Sequence, residues 1–264
     1  MRKDIILGSL LMLFSMSSFS QLVNIESQRI QSDSIRFVFS NHLSFSYYNT
    51  NGSEVFQISD GLSTQLKSKD LKKIYLLLGN YSYVRASEQN FNNTWFLHFR
   101  FNYKITDLWR FETFVQSQYN EFLDINSRNL FGIGARLKLV SKEHVNLYFG
   151  NAYMYEYEKS MSFETHANNH RNSSYLSFNA KIPMNPDAID KRKVRNIFFL
   201  NTIYYQPLYE DFSNYIISEL FRVEVPMTQH LSMTTQFTYY YDSLTPSGNK
   251  QYVSNMSFGF GLNF

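Results

Sequence analysis

The stretch NTWFLHFRFNYK (93–104) alternates almost without a break. Trp95, Leu97, Phe99, Phe101 and Tyr103 hold one parity; His98, Arg100, Asn102 and Lys104 hold the other, with Phe96 the single apolar intruder among them. Successive side chains of an extended strand point to opposite faces, so a period of two predicts a strand with one oily face and one polar face. A helix needs apolar residues three and four positions apart, and nothing beyond residue 21 sustains that spacing.

The same division recurs outward from this stretch in both directions. Phe56, Ile58, Leu62 and Leu66 oppose Gln57, Ser59, Ser63 and Gln65; Phe131, Ile133, Ala135, Leu137 and Leu139 oppose Gly132, Gly134, Arg136 and Lys138. In the final NMSFGFGLNF (255–264), Met256, Phe258, Phe260, Leu262 and Phe264 oppose Asn255, Ser257, Gly259, Gly261 and Asn263. The 20 tyrosines and 25 phenylalanines agree with this, because aromatic rings fit a pleated, half-buried surface. About twelve strands are expected, at 35–49, 54–67, 73–85, 93–104, 108–121, 128–140, 144–159, 172–182, 194–206, 213–225, 230–241 and 251–264, within a range of roughly 10 to 14. Two segments, 74–84 and 197–205, are aromatic on both parities, and Asn151 and Asn201 land on the oily face, so the register is least defined there.

Which face points outward decides the fold. An inside-out soluble barrel would have to fit Trp95, Phe99, Phe101, Phe111, Phe131 and Phe149 into its interior, and small barrels have little room. The opposite assignment places Arg100, Arg110, Arg136 and Lys138 in a wet lumen, whereas one such cation at a bilayer midplane costs roughly 2 to 4 kcal/mol. The expected fold is therefore all-β, a transmembrane antiparallel up-and-down β-barrel, in which every backbone polar group is paired and only side chains meet hydrocarbon. Connectors at 86–92, 160–171, 207–212 and 242–250 are long and fall on one side; those at 105–107, 141–143 and 226–229 are tight and fall on the other. Such asymmetry belongs to outer-membrane barrels, although 49–53 and 183–193 break it.

The leader MRKDIILGSLLMLFSMSSFS (1–20) has a basic start, a short apolar run and a small-residue end, which predicts a cleaved signal peptide and export. Residues 21–34 form a periplasmic lead-in and 35–264 the barrel, placed in the outer membrane of a Gram-negative bacterium. A terminal aromatic on the last strand resembles the signal that barrel-assembly machinery reads, which assigns that role to Phe264. The expected partners are that machinery, periplasmic chaperones and outer-membrane lipid, with the chain a monomer. A formal charge of +3 is too small to imply nucleic acid, and zero cysteines exclude disulfides and Cys-ligated metals.

Six further segments carry a family likeness: NIESQRIQSDS (24–34), LGNYSYV (78–84), GIGARLKL (132–139), MYEYEKS (154–160), RNSSYLSF (171–178) and TIYYQPLYEDFSNYIIS (202–218). With them the chain resembles a domain-of-unknown-function family of salt-induced outer membrane proteins. The resemblance implies an outer-membrane barrel of unassigned function and supplies no catalytic residues.

Candidate chemistry is sparse. His42 with Ser44, and His230 with Ser232, have the i, i+2 spacing of a barrel-strand hydrolase dyad, but both share the luminal parity and neither has an orienting partner, so no enzyme is expected. His166 and His170 lie in THANNH, read as a loop, where a spacing of four defines no metal site. The lumen-lining candidates are Arg100, Arg110, Glu112, Arg136, Lys138, Glu156, Glu158 and Arg171, with Glu156 and Glu158 on one strand placed for a cross-strand ionic pairing with Arg171 on the next. Mixed signs predict weak charge selectivity, and no cofactor or metal is expected. The function expected is a porin-like narrow passive pore for small solutes or ions; a plugged structural or surface-binding barrel is the alternative, and an outer-membrane lipid hydrolase a remote third.

Overall fold

Alternation over twelve segments, each able to pair with the next through a short turn, dictates a meander. The computed structural model describes residues 36–50, 53–86, 89–121, 123–162, 166–184, 195–228, 231–245 and 251–262. Its strands are β1 (Phe37–Thr50), β2 (Ser53–Lys67), β3 (Lys73–Ala86), β4 (Gln89–Lys104), β5 (Trp109–Asn120), β6 (Ile125–Ser141), β7 (Val145–Ser160), β8 (His166–Pro183), β9 (Asn196–Pro207), β10 (Tyr215–Pro226), β11 (Leu231–Asp242) and β12 (Gln251–Leu262). Each pairs antiparallel with its successor in one sheet of order β1 to β12. The even count returns the end of β12 to the end of the barrel where β1 begins.

The sheet rolls up. Arg100 on β4 and Tyr240 on β11 line one central cavity, and the Tyr175 hydroxyl on β8 donates to Glu112 on β5 at 2.9 Å, three strands away. Among the described residues β1 pairs with β2 and β12 with β11, and no ladder joins β1 to β12. The two faces are those the sequence predicts: Trp95, Leu97 and Phe99 are 38%, 48% and 39% exposed, whereas His98, Arg100 and Asn102 between and beyond them are 1%, 3% and 1% exposed.

The register also holds where alternation is ambiguous. Asn151 stays on the outward face and donates to Asn172 Oδ1 (3.1 Å) and Ser174 Oγ (2.8 Å) on β8. Asn201 does likewise to Glu219 Oε1 on β10, at 2.8 Å. An amide on an oily face is thus satisfied by a cross-strand neighbour.

Several expectations need correction. The stretch 160–171 is not a long loop: β8 begins at His166, and Lys159 pairs with His166 in the ladder. Likewise β3 runs to Ala86 and β4 starts at Gln89. Backbone pairing is indifferent to polar side chains, so Asn-rich and His-rich sequence that reads as loop simply extends the hairpin. The loop-length asymmetry weakens accordingly, and the longest connector, 184–195, lies at the end shared by the start of β1 and the end of β12. Residues 1–20, the lead-in 21–34, His230 and Phe264 fall outside the described residues.

One turn is tied down. Asp124, between β5 and β6, adopts φ 59°, a left-handed conformation that Asp tolerates better than most residues. Its carboxylate accepts from Ser160 Oγ (2.5 Å) and from Ser162 N and Oγ (2.9 and 2.6 Å), which latches this turn to the end of β7. Burial pushes the carboxyl up, but the bonds from Ser160 and Ser162 outweigh it and hold Asp124 below the ordinary aspartate value.

Candidate functional site

The inward face carries charge because each strand alternates, and the ladder brings opposite charges together on neighbouring strands. In the half nearer the termini, Arg100 on β4 lies 3.6 Å from Glu112 on β5. The Glu112 carboxylate also accepts from Tyr175, and the Arg100 guanidinium sits over the rings of Phe114 and Tyr175, at 5.2 and 6.0 Å from their centroids. Arg136 on β6 stacks on Tyr148, 3.9 Å from the ring centroid. Two glycines make room for these aromatics. A Cβ on Gly132 would meet Phe114 Cζ at 2.1 Å, and one on Gly150 would meet Tyr175 Cε1 at 2.0 Å, so each ring lies flat on a bare stretch of strand.

Toward the other end a second ionic layer runs along the inner face of β6, β7 and β8. Glu156 on β7, 1% exposed, accepts from Arg128 on β6 through Nε (3.0 Å) and Nη2, from Arg171 Nε on β8 (3.1 Å) and from Asn169 Nδ2 (2.8 Å). Arg128 Nε also lies 3.2 Å from Glu158. Arg171 reaches onward to the Gln206 carbonyl (3.2 Å) and Asn214 Oδ1 (3.1 Å). This Arg128–Glu156–Arg171 brace therefore ties β6, β7 and β8 to β9 and to the connector before β10.

The brace separates two cavities. On its outer side a cavity of about 190 Å³ is lined by Glu156, Glu158, Arg171 and Asp242; on its inner side one of about 90 Å³ is lined by Arg128, Arg100, His98 and Gln206. The expectation of a polar lumen needs correction here. Leu76, Leu78 and Phe96 form one buried apolar cluster on the inward face, and Phe114, Leu130 and Met154 form another. Twelve strands enclose more space than charged side chains alone fill, and the both-parity segment 74–84 supplies some of the filling.

The eight lumen candidates all carry inward parity. Arg100, Glu112, Arg136, Glu156, Glu158 and Arg171 are buried, while Arg110 and Lys138 are half-buried near the terminal end. Of the two carboxylates expected opposite Arg171, Glu156 pairs with it at 3.1 Å, while Glu158 lies 3.2 Å from Arg128. Arg128 escaped the sequence reading although it shares parity with Leu130, Gly132 and Arg136; its position at a presumed strand end concealed it. His98, which donates through Nδ1 to Gln116 Oε1 at 3.0 Å, stood in the opening pattern but had no partner there to mark it. Ser44 points inward and shares a 2.7 Å hydrogen bond with the buried Ser59, which places His42 on the luminal parity too. His166 and His170 belong to a strand, not a loop, and His170 Nδ1 meets the outward Tyr153 hydroxyl at 2.5 Å.

A family model described as protein of unknown function, DUF481, matches residues 56–264, nearly the whole described barrel. The chain belongs to the DUF481 family. No curated protein matches this DUF481 chain. Among solved structures it is similar to the NanC porin, at 10% identity and TM-score 0.43, with 87% of this chain and 100% of that one covered. It is also similar to a bacterial polysaccharide outer membrane secretin, at 6% identity and TM-score 0.44, with 86% and 91% covered.

Proposed function

We propose that this DUF481 chain is an outer-membrane barrel acting as a narrow passive pore for small ions or solutes. The observation that carries the reading is the bonded brace of Arg128, Glu156 and Arg171 standing between two cavities, of about 90 and 190 Å³, along the lumen. Rings of charge at a constriction select by size and hydration. The outward Leu43, Phe45, Phe131, Phe149, Leu176 and Phe258, all well exposed, fit hydrocarbon rather than water. In this reading the chain is exported, inserted through barrel-assembly machinery as a monomer, and needs no cofactor.

A second reading, a plugged structural barrel, is favoured by the apolar clusters around Phe96 and Met154. Planar bilayers separate the two. The pore reading requires small unitary current steps from the purified full chain and several-fold larger steps from Arg128→Ala, which shortens the brace. Silence from both proteins would refute it and leave the plug.

A further inference from the structure

The inner cavity has a composition the pore reading does not require. Its wall holds two guanidinium groups, Arg100 and Arg128, and no Asp or Glu. The carboxylates that balance these arginines, Glu112 for Arg100 and Glu156 and Glu158 for Arg128, are absent from the wall. The cavity is thus faced by cations whose counter-charges lie outside its wall, and in a site walled in part by Phe96, Phe114, Leu130 and Met154 that field is weakly screened. A polar relay adds a directed donor. His98 Nδ1 donates to Gln116 Oε1 (3.0 Å), and Gln116 Nε2 donates to Gln118 Oε1 (2.8 Å), so the group Gln118 has left to offer is its N–H pair. Tyr204 and Tyr240 also line the space, with the Tyr240 hydroxyl committed to Asp242 Oδ2 at 3.4 Å. A volume of about 90 Å³ holds about three waters at ~30 Å³ each, or one small anion with a water.

We propose that this mid-lumen cavity is a binding site for one small inorganic anion, a halide or a tetrahedral oxyanion, held between Arg100 and Arg128 and oriented by Gln118. The site goes beyond the pore reading and does not depend on it: a plugged barrel would hold the anion equally well, so its test reads binding rather than current.

The experiment titrates the detergent-folded full chain with phosphate and with bromide by calorimetry in gluconate buffer, and compares wild type with Gln118→Glu and Gln118→Met. Saturable one-to-one binding of either anion is expected, weakened at least 10-fold by the carboxylate of Gln118→Glu and roughly 3- to 10-fold by Gln118→Met. Bromide-soaked wild-type crystals should show an anomalous peak between Arg100 and Arg128. Absence of saturable binding by wild type, binding undiminished in a folded Gln118 variant, or a peak elsewhere would each overturn the proposal. If the Gln118 variants do not fold, the wild-type titration and the position of the bromide peak still decide it.

Discussion

Replacing Glu156 by glutamine tests the brace with the least steric change. Glu156 is 1% exposed and receives bonds from two arginines and an amide, so its carboxylate is saturated by donors. Glutamine keeps the volume but turns one acceptor oxygen into a donor, which must face either Arg128 or the Arg171 and Asn169 pair. It also removes the charge. Arg128 is left with Glu158 at 3.2 Å, and Arg171 with the neutral Gln206 carbonyl and Asn214. Removing one partner of a buried ion pair costs roughly 3 to 5 kcal/mol, because the remaining charge stays desolvated. At about 1.4 kcal/mol per decade, the unfolding equilibrium shifts by roughly 2 to 3.5 orders of magnitude. The assay is urea unfolding in detergent followed by the fluorescence of Trp95 and Trp109. A loss below about 1 kcal/mol, the range of a solvated surface pair, would refute the claim that the brace is buried and connected.

Three other perturbations address the frame. In Gly134→Ala the new Cβ would meet Asn151 O at 2.2 Å and Ala152 Cα at 2.5 Å, both main-chain atoms of β7, so the ladder must shift at a cost of about 1 to 3 kcal/mol. Gly259→Ala has nothing within 4 Å and should stay within about 0.5 kcal/mol of wild type in the same assay. Asp124→Ala loses the bonds from Ser160 and Ser162 and should cost about 1 to 2 kcal/mol at neutral pH. Because the folded carboxyl titrates below its ordinary 3.8, this stabilisation is present above that value and disappears as pH falls through the folded pKa. Wild type and Asp124→Ala should therefore converge in stability in strong acid; a constant gap would refute the charge-assisted latch.

Strand number, order and sidedness were legible because alternation is a local signal. The row from Trp95 to Tyr103 needs no tertiary information to declare its faces. Strand ends were less legible: His166 to His170 looks like loop because polarity and extension are independent, and only the ladder with Tyr155 and Lys159 reveals the strand. The site was half legible. Parity gave the inward charges, but not that Arg128 would bridge to Glu156, since cross-strand register depends on turn length. Parity also missed the rings over Gly132 and Gly150, where the informative signal was the bare glycine on an inward position facing an aromatic on the next strand.

The cohesion inside this barrel is uneven, and under the proposed pore reading that unevenness would link stability to conductance. The brace and the Arg100–Glu112–Tyr175 layer together join β4 through β9, the strands that carry Arg100, Glu112, Arg128, Glu156, Arg171 and Gln206. At the edges, Phe37, Phe39 and Leu43 of β1 and Phe258 of β12 are each 60% to 68% exposed. A carboxylate on the outer face there, Asp60 of β2, has the Asn41 amide as its cross-strand donor at 2.8 Å. The side chains that narrow the lumen are therefore the same ones that rigidify it, and they cannot be removed for bore without loss of stability. That coupling makes Glu156→Gln informative twice. If it unfolds more easily and its current steps grow, the brace is both clamp and constriction. If it unfolds more easily and the lumen stays silent, the apolar layer of Phe114, Leu130 and Met154 closes the passage, and the brace serves only to hold the barrel together.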